Sequence, residues 1–119
     1  MKVPCAVAGG DGESHWEERE LALEAADPAE HGIGGFAARA LGSWDAAIVE
    51  FPPDFAGDFH ADGRSIAVMI AGRIRFELSD GTSVTLGPGE VAMFEDAAGG
   101  GHRPVVLDGK GATLLSLNA

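Results

Sequence analysis

Four Asp-Gly pairs punctuate this chain, at Asp11-Gly12, Asp62-Gly63, Asp80-Gly81 and Asp108-Gly109. The pair is a strong short-range signal for a hairpin turn, because glycine takes positive φ without steric cost. A chain that reverses this often leaves little room for long helices between reversals. Eighteen glycines and six prolines, about a fifth of the residues and well above ordinary usage, add further turns.

The segments between turns are short and of strand type. Arg73-Ile74-Arg75-Phe76-Glu77-Leu78 alternates with period two, which puts Ile74, Phe76 and Leu78 on a buried face and the charges in water. Ile66-Ala67-Val68-Met69-Ile70 is continuously apolar and reads as a strand covered on both sides. Ser83 to Leu86, Val91 to Phe94, Arg103 to Leu107 and Ala112 to Leu117 complete a series at the 8 to 12 residue spacing of sandwiches and barrels. In the first half, Leu21 to Ala26 and Gly35 to Leu41 are Ala-rich and helical by propensity, but glycines leave the second piece too short for a stable helix. Trp16 to Leu23, Phe36 to Leu41 and Ala46 to Phe51 are therefore read as strands. The expectation is one all-β domain over 1–119, with 1–13 a flexible N-terminal segment that includes Cys5.

Composition narrows the partners. Eight Lys and Arg against nineteen Asp and Glu give a net charge of −11, the wrong sign for neutralising phosphates or anionic headgroups, so neither nucleic acid nor membrane is expected. A single cysteine forms no internal disulfide and no zinc ribbon. No apolar run approaches the ~18 residues of a membrane span, and the first ten residues lack a signal-peptide core. The expected location is cytoplasmic.

The stretch from Asp58 to His102 resembles the two motifs of the cupin superfamily, small jelly-roll barrels also described as antiparallel double-stranded β-helices. Its carriers are Asp58-Phe59-His60, a buried strand ending at Ala71-Gly72, the Asp80-Gly81 hairpin, Gly87-Pro88-Gly89 and a distant His102, with core motifs over 58–107. Together with Asp11-Gly12-Glu13-Ser14-His15-Trp16, this wording resembles a subgroup of small single-domain bacterial cupins. The resemblance places His60 at the second histidine of the first motif and His102 at the histidine of the second. Asp58 then stands where a histidine is usual, and Ser65 where an acidic ligand is usual.

Cupins hold Fe, Mn, Ni, Zn or Cu with three His and one Glu. Here the resemblance implies at most a partial divalent site on His60 and His102, with Fe, Mn, Ni or Zn as candidates. The other reading is a metal-free pocket in which both histidines bond a ligand directly. Glu95-Asp96 ends an apolar strand beside this pocket; one carboxylate would act as a general base, or Asp96 would cap the glycine loop Gly99-Gly100-Gly101. That loop is either a flap or a tight turn. Arg64 offers a fork for a substrate carboxylate, or a rim pair with Asp58 or Asp62. His15 on the first strand either reaches the barrel mouth or lies at the surface, and His31 reads as exposed. Trp16 and Trp44 read as core or interface residues. Two functions fit: an enzyme acting on a small organic molecule through His60, His102, Glu95 and Asp96, by isomerase, cyclase or oxygenase chemistry, or a non-catalytic small-molecule binder or sensor. A homodimer is implied by the resemblance, with edges near Trp16 and Leu21 pairing across a two-fold axis.

Overall fold

A computed structural model of the chain describes residues 1–61 and 63–119. Eleven strands and one short helix follow in order: β1 (Lys2–Ala8), β2 (Ser14–Glu20), β3 (Glu24–Ala25), α1 (Pro28–His31), β4 (Ala37–Ala38), β5 (Asp45–Phe51), β6 (Ser65–Ala71), β7 (Ile74–Leu78), β8 (Ser83–Leu86), β9 (Val91–Glu95), β10 (His102–Val106) and β11 (Ala112–Asn118). A six-stranded sheet runs β2-β1-β9-β6-β11-β5 and faces a three-stranded sheet β10-β7-β8. Among the described residues no strand pairing joins the edges of the two sheets, so the jelly roll is a two-sheet sandwich and not a closed barrel.

The core lies between the sheets. Ala67, Met69, Phe94 and Leu114 come from the large sheet and meet Ile74, Phe76, Leu78 and Val106 from the small one. The period-two reading of β7 holds, with Ile74, Phe76 and Leu78 all buried. A second cluster, Val3, Cys5, Ile66 and Met93, covers the outer face of the large sheet with help from Leu21 and Trp44. Strand β6 is only partly sandwiched: Ile66, Ala67 and Met69 are buried, but Ile70 is half exposed.

Several expectations are corrected. The N-terminal segment is not a loose tail, because residues 2–8 form β1 between β2 and β9 and bury Val3, Cys5 and Ala6. Its pairing with β9 is parallel, unlike the antiparallel ladders of the rest of the two sheets. Burial pushes the Cys5 thiol up to about 11, so it stays protonated inside the sheet. Strand β2 stops at Glu20, and of 36–41 only Ala37–Ala38 pairs, with β3. Pro28–His31 is a single helical turn, capped by the Asp27 carboxylate on Ala29 N–H and closed by Gly32. Of the two readings of Trp16, core or interface, the core one holds: it points inward onto Phe94, with ring centres 6.0 Å apart. Gly12 and Gly81 take positive φ as expected, whereas the last turn places it on Gly111 instead of Gly109. The Asp62-Gly63 turn includes Asp62, which lies outside the described residues.

Candidate functional site

A cavity of about 380 Å³ opens between the sheets beside the core. Its apolar walls come from Val49 and Phe51 on β5, Phe76 on β7, Phe94 on β9, Leu114 on β11 and Phe55 on the passage between β5 and β6. That passage runs along β10: Gly57 N–H donates to the Pro104 carbonyl, Val106 N–H to the Phe55 carbonyl, and His60 and His102 exchange both backbone hydrogen bonds at 2.9 Å. Directly opposed residues of an antiparallel pair share a face. His60 and His102 therefore stand side by side on the cavity wall, their ring centres 4.6 Å apart.

Each ring is held through Nδ1. His60 Nδ1 lies 3.0 Å from the Asp58 carbonyl, which only accepts, so Nδ1 carries the proton. His102 Nδ1 lies 3.1 and 3.2 Å from the two Asp96 carboxylate oxygens, which likewise fixes its proton on Nδ1. In each neutral imidazole Nε2 is then a bare lone pair, and among the described residues neither Nε2 has a hydrogen-bond partner.

Behind His102 the arrangement is closed. Asp96 is fully buried and accepts from the Ser14 hydroxyl at 2.9 Å; Ser14 in turn accepts from Gly101 N–H at 3.0 Å. Burial alone would raise the Asp96 carboxyl, but the hydrogen bond and charge of His102, with the Ser14 hydroxyl, outweigh it and hold the group below its ordinary value. Phe94 packs its ring 4.1 Å from the His102 ring centre. The glycine loop is a fastened turn: Gly99 N–H donates to the Asp96 carbonyl and Ser79 N–H to the Gly101 carbonyl. Gly101 has φ of 93°, and a Cβ there would come within 2.6 Å of the His60 carbonyl oxygen, so glycine is what lets the loop press against His60.

The remaining candidates separate. Asp58 and Ser65 line the cavity with the two histidines. Asp96 lies behind His102 and does not line the cavity. Glu95 does not line it either: the β9 alternation turns Ala92 and Phe94 inward and Met93 outward, and Glu95 pairs outside with Arg19 at 2.9 Å. Arg64 stacks on Trp44, 5.1 Å from its ring centre, and approaches Glu95 at 3.8 Å, away from the cavity. His15 sits at the surface between Asp11 (2.9 Å) and Asp80 (3.0 Å). His31 is exposed on α1. The sequence reading passed over Ser14, whose signal was its two-residue offset from the inward Trp16.

No family model matches the chain, and no curated protein matches it. Solved structures do. A sugar phosphate isomerase of the cupin superfamily from Silicibacter pomeroyi superposes with a TM-score of 0.53 at 18% identity, covering 90% of this chain. This chain spans only 59% of that protein. The Cnp3 cupin domain of Schizosaccharomyces pombe superposes at 0.53 with 13% identity, covering 98% of this chain and 85% of its own. The chain has the cupin fold. A Neisseria meningitidis protein gives 0.52 at 18% identity, with 84% of each chain covered.

The cupin fold raises the question of a metal, and the donor set answers it. Two imidazoles stand where cupins use three His and a Glu, and Ser65 is a neutral hydroxyl at the acidic position. Among the described residues no group of three or more His, Cys, Asp or Glu is placed to hold an ion. The residues do not fit the family's metal site.

Proposed function

We propose that this cupin binds a small organic molecule in the cavity and moves a proton on it, with His102 as the general base. The carrying observation is the pair of imidazoles on one wall, each fixed through Nδ1 with Nε2 left free. His102 Nε2 takes a proton from the ligand's carbon or hydroxyl, and Asp96 stabilises the imidazolium without accepting the proton itself. The same nitrogen returns the proton, and His60 Nε2 helps orient the ligand hydroxyl as a second acceptor. Isomerisation and cyclisation need only such transfers, which is why they match these residues better than oxygenation. The solved isomerase is compatible with this chemistry, though its substrate class is not carried over. Asp58 and Ser65 contact the ligand from the rim. Glu95 and Arg64, paired on the outer face, and His15 serve the scaffold.

A second reading, a non-catalytic binder, is favoured by the largely apolar lining. The two are separated by hydrogen–deuterium exchange at C1 of 2-naphthol, an uncharged fused-ring probe whose hydroxyl proton the base takes and whose ring carbon receives it back. Acceleration over equimolar imidazole by about 10²-fold or more, lost in His102→Asn, supports catalysis. Exchange no faster than imidazole contradicts it. No helix among the described residues is long and apolar enough to cross a membrane. A cytoplasmic setting, with neither nucleic acid nor membrane as partner, fits the acidic charge and is proposed with this reading.

A further inference from the structure

Resting on that reading of the cavity, we infer that its ligand is an uncharged, largely apolar molecule carrying a hydroxyl of phenol or enol type, seated between His60 and His102, and that phosphorylated and carboxylated molecules are rejected. The first argument is the missing counterion. No Lys or Arg is among the described residues that line the cavity, and the one carboxylate or ammonium-type charge there is the Asp58 carboxylate. The arginines nearest in sequence to the two histidines are committed elsewhere: Arg64 to Trp44 and Glu95, Arg103 to Glu77 at 2.9 Å and to the Phe59 ring. An anion entering this space exchanges its hydration for the neutral side chains of Ser65, Ser116 and Asn118, with no cation to offset its charge, against a net charge of −11.

The second argument is the sense of the polar groups. At the histidine wall two neutral imidazoles with Nδ1 protonated present two acceptors and no donor, so the ligand must donate there; the donors of the lining are the side chains of Ser65, Ser116 and Asn118. A hydroxyl on a ring or double bond donates well and accepts weakly, and its proton is the one His102 is placed to take. A site built to accept from a hydroxyl discriminates against the analogue that lacks it, because the lone pairs are left unpaired. The third argument is shape. Phe51, Phe55, Phe76, Phe94, Val49 and Leu114 make a ring-lined space near the lower end of small-molecule sites, which suits one or two fused rings.

The test uses the full chain at neutral pH and follows the imidazole carbon protons of His60 and His102 by NMR during titration with phenol, anisole, benzoate and phenyl phosphate. Phenol is expected to shift both signals and to bind about tenfold or more tighter than anisole, with benzoate and phenyl phosphate weaker than either. His60→Leu is expected to weaken phenol while leaving anisole unchanged, since His102 Nε2 still accepts. Anisole binding as tightly as phenol, or either anion binding as tightly, overturns the inference while leaving the cavity reading intact. If no probe moves either histidine, the cavity reading falls as well.

Discussion

Asp96 decides which nitrogen of His102 is left free for the cavity. It is a carboxylate with no exposed surface, satisfied by Ser14 and His102. Its pKa is depressed in the folded state, so its stabilisation is fully present above the unfolded carboxylate value of about 3.9 and is lost as pH falls through the folded one. Asp96→Asn keeps the shape but offers an amide that can donate. The proton of His102 is then free to move to Nε2, removing the base. The expected outcome is a loss of about 1–3 kcal/mol in denaturant unfolding and a more than tenfold fall in 2-naphthol exchange. Unchanged exchange would mean that Asp96 only packs. The positions of His60 and His102 were legible in the sequence through their motif spacing. Their opposition across β10 was not, because it depends on a backbone register between segments about forty residues apart. The outward turn of Glu95 was legible in principle, from the alternation of Ala92 and Phe94, once β9 is known to have a core on each side.

Two side chains join the hairpins that flank this site: Ser79 Oγ, which accepts from Ser14 N–H at 2.9 Å, and His15. His15 on β2 lies between Asp11, in the β1–β2 turn, and Asp80, in the β7–β8 turn. Hydrogen bonding to Asp11, reinforced by both negative charges, raises the His15 pKa; Asp11 is lowered chiefly by His15, and Asp80 chiefly by Thr82. A raised histidine contributes stability that is fully present below its unfolded value of about 6.5 and is lost as pH rises through the folded value. The carboxylates set the acid limit, since their contribution is lost as pH falls through their lowered values. Thermal unfolding of wild type and His15→Gln across pH 5 to 9 should show the larger gap at the acid end and convergence at the alkaline end. A gap independent of pH would contradict a charged clamp. Strand β1, which completes this hairpin, was illegible because Pro4 and Gly9-Gly10 read as a tail. Its parallel partner β9 lies almost ninety residues away, so no local signal announces the pairing. Strands β7 and β8, joined by a hairpin at Asp80-Gly81, were legible from local residues alone.

At the scale of the molecule, the radius of gyration is 15.6 Å, against about 13–14 Å for an ordinary domain of this length. The segment from Leu21 to Trp44 leaves Leu23, Ile33, Phe36 and Leu41 exposed, and Ile48 on the edge strand β5 is 64% exposed. Edge β2 carries Glu17, Glu18 and Glu20, which would repel their own copies, so we propose that the homodimer, expected by resemblance at edges near Trp16 and Leu21, pairs through β5 and the 21–44 segment instead. Sedimentation is expected to give twice 12.2 kDa at micromolar concentration, and Ile48→Asp to give the monomer. A monomer from the wild type would contradict this. The all-β class was legible from turn spacing, but this arm was not, since its Ala-rich pieces satisfy both strand and helix patterns.

The claim on which the function rests is that both imidazoles present a bare Nε2 to one cavity. Long-range ¹⁵N–¹H correlation of the histidine side chains, at a pH where they are neutral, reads the tautomers directly. The structure predicts Nδ1–H for both His60 and His102, with both Nε2 resonances shifting together when phenol is added. Nε2–H on His102, or a phenol response confined to one ring, would contradict it.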